Sequence, residues 1–305
     1  MTLEDRVVGA LLGLALGDAL GAPFEGRRAS RIPDPVPALE LPWQGLPPGS
    51  TTDDTAMARN LARSLARRGG FDPADVVAEH LAWFATRPPD VGSLTRRVLA
   101  RIAAGTPWTE AARRVWEERG PEVSAGNGSV MCCAPLGLAY AGRPRELPDL
   151  AGRLSALTHW DERCRTACVA VTLAVAALAR GEEAERAVDA ALAAALERPG
   201  GEELAFLVGA VGDVRPVDGP DMGFCLYAAA VGLRAAVEAP GVEGGLRRVV
   251  ALGGDTDTNA AVAGALLGAR DGAAALPRGW LARLRDREAI EAEARALVPL
   301  AGRGP

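Results

Sequence analysis

Two short segments of the sequence combine carboxylates with hydroxyl side chains at the entrance to a helical pattern. They read Thr51-Thr52-Asp53-Asp54-Thr55 and Gly253-Gly254-Asp255-Thr256-Asp257-Thr258. A single acid or threonine at such a place is explained by N-capping and by favourable charge near a helix N-terminus. Two acids with flanking threonines, found twice, are harder to explain in that way, because the carboxylates repel one another unless a cation lies between them. Each segment alone is as consistent with capping as with metal binding, and the pair favours metal binding.

The chemistry of these side chains indicates which metal they would hold. All the donors are hard oxygens, without His or Cys, and such a set selects Mg²⁺, Mn²⁺ or Ca²⁺ over Zn²⁺. Consecutive side chains diverge on a regular helix, so the two acids of each segment converge only at a corner between loop and helix. Four carboxylates suffice for two divalent ions when threonine hydroxyls and water complete the coordination.

A glycine-rich segment, Gly126-Asn127-Gly128-Ser129, is a candidate anion-binding loop. It precedes an apolar pattern that predicts a helix from Ser129 to Ala141. Small residues let backbone N–H groups approach an anion, and a helix N-terminus favours negative charge.

The elements that position these residues are predicted to be helices, so the expected fold class is all-α. Helical apolar patterns separated by Gly and Pro recur along the chain, and no run of alternating β-branched residues stands out. The composition agrees: 49% of residues are hydrophobic but only 4% aromatic, and small aliphatic side chains suit closely packed helices. Besides the helix after the glycine-rich loop, the predicted helices are Glu4 to Leu20, Thr55 to Arg68, Pro73 to Thr86, Ser93 to Ala104, Glu110 to Glu118, Glu162 to Arg180, Glu183 to Leu196, Phe224 to Glu238 and Thr258 to Ala269.

The first predicted helix carries a glycine at every fourth position, namely Gly9, Gly13, Gly17 and Gly21. Such a smooth stripe lets another helix approach closely, and packing alone explains it. A proline-rich stretch from Ile32 to Pro48 predicts a long surface loop, because proline has a fixed φ and no N–H donor.

No tandem repeat and no long polar linker divides the 305 residues, so we expect one compact domain over residues 1–305. The formal net charge of -5 argues against nucleic acid as the main partner, since phosphate binding needs a concentrated positive face. The apolar run from Val7 to Leu16 falls short of the roughly 20 residues that span a bilayer. Five cysteines without a C-x-x-C pair are not a disulfide framework. We therefore expect a cytoplasmic protein with no membrane partner. The sequence does not fix the oligomeric state, for which our expectation is a monomer.

Six blocks of the sequence occur in the order typical of one family. They are Gly17-Asp18-Ala19-Leu20-Gly21-Ala22-Pro23-Phe24-Glu25, Thr52-Asp53-Asp54-Thr55, Pro89-Asp90-Val91-Gly92, Gly126-Asn127-Gly128-Ser129-Val130-Met131, Thr158-His159 and Gly253-Gly254-Asp255-Thr256-Asp257-Thr258. On these blocks, from about Leu3 to Gly272, the chain resembles the ADP-ribosylglycohydrolase family. That family includes the dinitrogenase reductase-activating glycohydrolases and the ADP-ribosylarginine and ADP-ribosylserine hydrolases.

The resemblance implies a multi-helix orthogonal bundle of the ADP-ribosylglycohydrolase type with two Mg²⁺ or Mn²⁺ ions. The implied metal ligands are Thr52, Asp53, Asp54, Asp255, Asp257 and Thr258. In the family the ions bind the ribose hydroxyls next to the anomeric carbon and so orient the sugar. Cleavage of the glycosidic bond then passes through an oxocarbenium-like state.

The resemblance also implies roles for residues outside the acidic segments. Glu25 and Asp90 match family carboxylates near the metals and the scissile bond, which makes them the candidate acid/base pair. Without the resemblance, Glu25 is equally an exposed loop carboxylate and Asp90 an ordinary turn residue. The residues that match ADP-ribose contacts are Gly126, Asn127, Gly128, Ser129, Met131 and His159. A lone histidine is otherwise more often a core residue, as we predict for His80.

The sequence departs from the family pattern at Cys132, where the family commonly has an arginine. A five-donor cation that supports the glycine-rich loop is lost there, unless another arginine takes its role. Val123 and Ser124 leave no aromatic pair beside this loop to stack on adenine. Cys164 and Cys168 lie one helical turn apart, and we predict buried, inert thiols rather than a metal-binding pair with the nearby histidine.

The expected function is metal-dependent hydrolysis of the bond between ADP-ribose and a protein side chain or small molecule, by water attack at the anomeric carbon. Two alternatives remain open: a catalytically silent relative that binds ADP-ribose, and a metal-dependent phosphohydrolase acting on the diphosphate. The sequence does not identify the leaving group, which could be arginine, serine, a nucleobase or a metabolite.

Overall fold

A computed structural model describes residues 1–304. Over these residues the chain forms fifteen α-helices, short 3₁₀ turns and one two-stranded sheet, with 66% of the residues helical. The helices are α1 Leu3–Gly21, α2 Asp53–Arg68, α3 Pro73–Ala85, α4 Ser93–Ala103, α5 Trp108–Arg119, α6 Ala134–Ala139, α7 Leu147–Ser155, α8 Glu162–Ala179, α9 Ala184–Leu196, α10 Gly201–Ala210, α11 Cys225–Glu238, α12 Val242–Ala251, α13 Thr256–Asp271, α14 Arg278–Leu281 and α15 Arg287–Ala301. The predicted all-α class is confirmed.

Helices α1 and α13 lie against each other at the centre of the molecule, with α8, α11, α12 and α15 around them. The glycine stripe of α1 makes this contact: a Cβ atom at Gly17 would overlap the carbonyl oxygen of Ala260, and one at Gly13 would overlap that of Gly264. The predicted packing role of the stripe is confirmed. The two backbones touch directly, so residues on α1 and α13 are held at a close and defined separation.

By length and hydropathy, the segment from Leu3 to Phe24 could cross a membrane. In this structure, however, 94% of its apolar window is buried inside the protein. We therefore assign α1 as the central core helix, and its single buried acidic residue, Asp18, is unusual in such surroundings.

The predicted helix from Ser129 to Ala141 is wrong in its first part. The carbonyl of Asn127 accepts hydrogen bonds from the N–H groups of Val130 and Met131, which closes a turn instead of starting a helix. Only Ala134–Ala139 is helical. The glycine-rich loop therefore does not open directly onto a helix N-terminus, and the dipole argument for anion binding there no longer applies.

Other boundaries agree to within about two residues, and the proline-rich stretch forms no α-helix, as predicted. Five helices were not predicted: α7, α10, α12, α14 and α15. The small sheet was not predicted either. Its strands β1 Arg27–Arg28 and β2 Gly253–Gly254 pair antiparallel, with both glycines at positive φ, and this pairing ties the segment after Glu25 to the second acidic segment.

Candidate active site

All the predicted site residues except Thr52 and Ser129 line one cleft with a volume of about 220 Å³. Six carboxylates line it, from Glu25, Asp53, Asp54, Asp90, Asp255 and Asp257. Among the residues that the structure describes, no arginine lines this cleft. A cavity of similar size between α11 and α12 contains none of the predicted site residues. Acidic side chains are thus concentrated in the cleft without an arginine among its walls.

The first acidic segment is shaped by the start of α2. Thr52 is the N-cap: its hydroxyl oxygen accepts from the backbone N–H of Asp54, and the hydroxyl donates to Asp54 Oδ2 at 3.1 Å. Asp53 accepts a hydrogen bond of 2.9 Å from the N–H of Gly92. Capping and convergence of the carboxylates therefore occur together, and the two interpretations of this segment are compatible.

Asp18 on α1 stabilises the start of α2 through hydrogen bonds. Its fully buried carboxylate accepts hydrogen bonds of 3.0 Å from the N–H groups of Thr52 and Thr55, and one from the Thr55 hydroxyl. Burial raises its pKa to about 6, while these hydrogen bonds oppose the shift. Asp18 was not among the predicted site residues, although an acid inside an otherwise apolar helix was the signal that could have identified it.

The second acidic segment enters α13 and meets the first. Asp255 precedes the helix, and Asp257 and Thr258 lie in its first turn. The Thr258 hydroxyl lies 3.5 Å from Asp54 Oδ2, at the limit of a hydrogen bond. The predicted convergence of the two segments therefore agrees with the structure.

The buried carboxylates strongly disfavour their charged forms. Burial, followed by repulsion from neighbouring acids, raises the pKa of Asp53, Asp54 and Asp257 well above the usual range. For Asp54 the largest repulsion comes from Asp18, and for Asp257 from Asp255. A cation between these groups would offset both the repulsion and the cost of burial.

These residues suit hard divalent cations. Asp54 Oδ1 is buried and has no hydrogen-bond partner in the protein, so one oxygen at the meeting point of the two segments is left for another ligand. In residues 1–304, no three Asp, Glu, His or Cys side chains converge as a ready-made ligand set for one ion. Each ion would therefore draw on threonine hydroxyls and water besides carboxylates, as is usual for Mg²⁺.

Glu25 and Asp90 line the same cleft from two loops. Glu25 follows a 3₁₀ turn, Ala22–Phe24, and the next N–H, of Gly26, donates to the carbonyl of Gly254 at 2.8 Å. Loss of hydration in the cleft raises the pKa of Glu25 to about 7, with further contributions from Asp255 and Asp90. Burial also raises the pKa of Asp90, against the opposing effect of hydrogen bonding with Asp53. Both candidate acid/base residues are thus close to the acidic cluster.

The glycine-rich loop forms the opposite wall. The N–H of Asn127 donates to the carbonyl of Gly223 at 3.0 Å, and its side-chain amide points to the second acidic segment. Gly126, Gly128 and Met131 line the cleft. Ser129 does not: its hydroxyl is buried 2.9 Å from that of Ser155.

His159 lines the cleft next to the loop as a buried, neutral side chain. Burial lowers its pKa to about 4, and its Nδ1 lies 2.9 Å from the Thr158 hydroxyl. Cys132 points its Sγ at the carbonyl of Gly128, 3.5 Å away, and all five thiols are buried, as predicted for Cys164 and Cys168. His80 is also buried and contacts the side chain of Asn60, so its predicted structural role is confirmed.

Comparison with known proteins points to one family. The profile described as ADP-ribosylglycohydrolase matches residues 1–305. The ADP-ribosyl-[dinitrogen reductase] glycohydrolase of Rhodospirillum rubrum is 33% identical, over 99% of this chain and 98% of that protein. The ADP-ribosylhydrolase ARH3 of Homo sapiens is 28% identical, over 90% of this chain and 88% of that protein. A solved structure described as an ADP-ribosylglycohydrolase-related protein complex is 38% identical, with a TM-score of 0.81 and coverage of 98% of this chain and 99% of that chain.

Proposed function

The chain belongs to the ADP-ribosylglycohydrolase family, and we propose that it hydrolyses the bond between ADP-ribose and a protein side chain with the help of two divalent cations. The proposed metal dependence is supported by the approach of Thr258 to Asp54 Oδ2. The other oxygen of this carboxylate, Oδ1, is buried and has no hydrogen-bond partner in the protein. The family membership supports the substrate class.

The two cations, Mg²⁺ or Mn²⁺, would supply positive charge that orients the ribose diol next to the anomeric carbon. Their proposed ligands are Thr52, Asp53, Asp54, Asp255, Asp257 and Thr258. Asp18 positions the first of these segments by accepting hydrogen bonds from three donors on residues 52 and 55. Asn127 positions the second through its hydrogen bond to Asp255.

The proton transfers are assigned to Glu25 and Asp90. In the reaction, a water oxygen forms a bond to the anomeric carbon and the bond to the leaving nitrogen or oxygen breaks. One of these two carboxylates takes a proton from the attacking water, and a Glu25 or Asp90 carboxyl group in its protonated form donates a proton to the leaving group. Carboxylates engaged by cations are poor proton carriers, which leaves Glu25 and Asp90 among the six cleft acids.

Product analysis tests this function. The protein is incubated with Mg²⁺ or Mn²⁺ and peptides that carry ADP-ribose on arginine or on serine. We expect intact ADP-ribose and the unmodified peptide. Release of AMP would instead indicate the phosphohydrolase alternative, and tight ADP-ribose binding without turnover of either peptide would indicate a silent binder.

A further inference from the structure

Thr95, in the first turn of α4, has a buried hydroxyl without a partner. Its side chain is 1% exposed, and its Oγ1 makes no hydrogen bond within the protein. A helical threonine commonly donates to the carbonyl four residues earlier. Here that carbonyl, of Val91, instead accepts from the Arg96 side chain at 3.3 Å. Unpartnered buried hydroxyls are costly, so their retention calls for a ligand or another compensating contact.

The free hydroxyl lines the active-site cleft beside the glycine-rich loop. A Cβ atom at Gly128 would lie 3.2 Å from Thr95 Oγ1 and 3.1 Å from His159 Nε2. The two polar atoms therefore face the same small space, which is open because residue 128 is a glycine. On the other side, a Cβ atom at Gly92 would lie 3.9 Å from Thr95 Oγ1 and 3.8 Å from Asp53 Oδ2. Thr95 thus lies between the loop and the acidic cluster.

The chemistry of this space suits a ligand oxygen. His159 uses Nδ1 for Thr158, which leaves Nε2 for another partner, and the ring is neutral. A hydroxyl both donates and accepts, so a hydroxyl and an imidazole together can bind an uncharged or anionic oxygen. We propose that Thr95 is a substrate-binding residue whose hydroxyl, together with His159 Nε2, binds an oxygen of ADP-ribose in the diphosphate or the terminal ribose. This proposal rests on the proposed function for the identity of the ligand.

Replacement of Thr95 by valine tests the proposal, because valine has almost the same shape and lacks the hydroxyl. Binding of ADP-ribose and of ADP is measured by calorimetry with Mn²⁺ present, and the melting temperature is measured without nucleotide. We expect Thr95→Val to weaken ADP-ribose binding about three- to tenfold, the size of one neutral hydrogen bond, without a lower melting temperature. Thr95→Ser should bind like the parent.

Thr172→Val is the matched control. Thr172 is equally buried, but its hydroxyl donates to the carbonyl of Cys168 at 2.7 Å, and the residue does not line the cleft. This variant should have a lower melting temperature than the parent and bind ADP-ribose with the parent affinity. Weaker binding of both nucleotides by Thr95→Val would place the bound oxygen in the ADP part, which carries the diphosphate, and weaker binding of ADP-ribose alone would place it in the terminal ribose, which ADP lacks.

Two outcomes overturn the inference separately from the proposed function. Equal ADP-ribose affinity in the parent and Thr95→Val would remove Thr95 from the binding site. A fall in melting temperature equal to that of Thr172→Val would indicate an ordinary structural hydroxyl. Failure of the parent itself to bind ADP-ribose would reject the proposed function as well.

Discussion

The side-chain amide of Asn127 donates a hydrogen bond of 2.9 Å to Asp255 Oδ2. The first residue belongs to the proposed nucleotide-binding loop and the second to the proposed metal site. Binding at either place therefore acts on a shared contact, and the two sites are expected to influence one another.

Replacement of Asn127 by alanine should weaken the binding of both Mn²⁺ and ADP-ribose. Without the amide, Asp255 loses the donor that orients it, and such neighbours of metal ligands typically contribute about 10- to 100-fold to metal affinity. Titration calorimetry with Mn²⁺, and then with ADP-ribose, measures both effects. An unchanged Mn²⁺ affinity would show that the contact does not connect the two sites.

Asp54→Asn should lower Mn²⁺ affinity by more than about tenfold, since it removes a proposed ligand while keeping the side-chain shape. The metal-free variant should not melt earlier than the parent, because a buried group that disfavours its charge has been neutralised. Asp72→Asn is the matched control: Asp72 caps α3 as Thr52 caps α2, but it lies outside the cleft. Parent-like Mn²⁺ binding by Asp54→Asn would contradict the metal site.

Glu25→Gln and Asp90→Asn should slow turnover while ADP-ribose binding persists. Positioned acid/base groups typically contribute about 10²–10⁴-fold to the rate, so a loss in this range is expected in at least one variant. Single-turnover rates on the ADP-ribosyl peptides that the parent cleaves give the answer. Parent-level rates in both variants would mean that another group carries the proton.

Gly128→Ala should weaken ADP-ribose binding and leave Mn²⁺ binding unchanged. The added Cβ would lie 2.8 Å from His159 Cε1, so the imidazole must shift and the space next to Thr95 is reduced. Gly152→Ala adds the same methyl group where nothing lies within 4 Å, and it should bind like the parent. Calorimetry on both variants separates a local steric effect from a general one.

Acidification should destabilise the fold through His80. Burial lowers its folded-state pKa to about 4, below the usual value of about 6.5 in the unfolded chain. The stability that this neutral histidine contributes is therefore present above pH 6.5 and is lost as the pH falls towards 4. Between pH 7.5 and 5 the parent should lose about 2 kcal/mol more unfolding free energy than His80→Gln. Urea unfolding at both pH values measures this difference, and equal losses would contradict the assigned pKa.

The sequence predicted the features that depend on residue type and local pattern. The acidic segments had to lie at loop-to-helix corners for their carboxylates to converge, and the structure has them there. The helix predicted from Ser129 failed because the Asn127 carbonyl is used in a turn, which an apolar pattern does not reveal. Thr95 was not identified because an unpartnered hydroxyl is a property of three-dimensional surroundings. No spacing in the sequence distinguishes it from Thr172.

The direct backbone contact between α1 and α13 has a consequence for synthesis of the protein. The acidic cluster needs Asp18 near the start of the chain and Asp257 more than two hundred residues later, so the site has a high contact order. While the ribosome is still making the chain, the first acidic segment lacks its counterpart and cannot form the complete site. The α1 glycine surface must stay uncovered until α13 emerges. The proposed metal site would then be completed late in biosynthesis, and a nascent chain that stalls before α13 would expose α1 to chaperones or to aggregation.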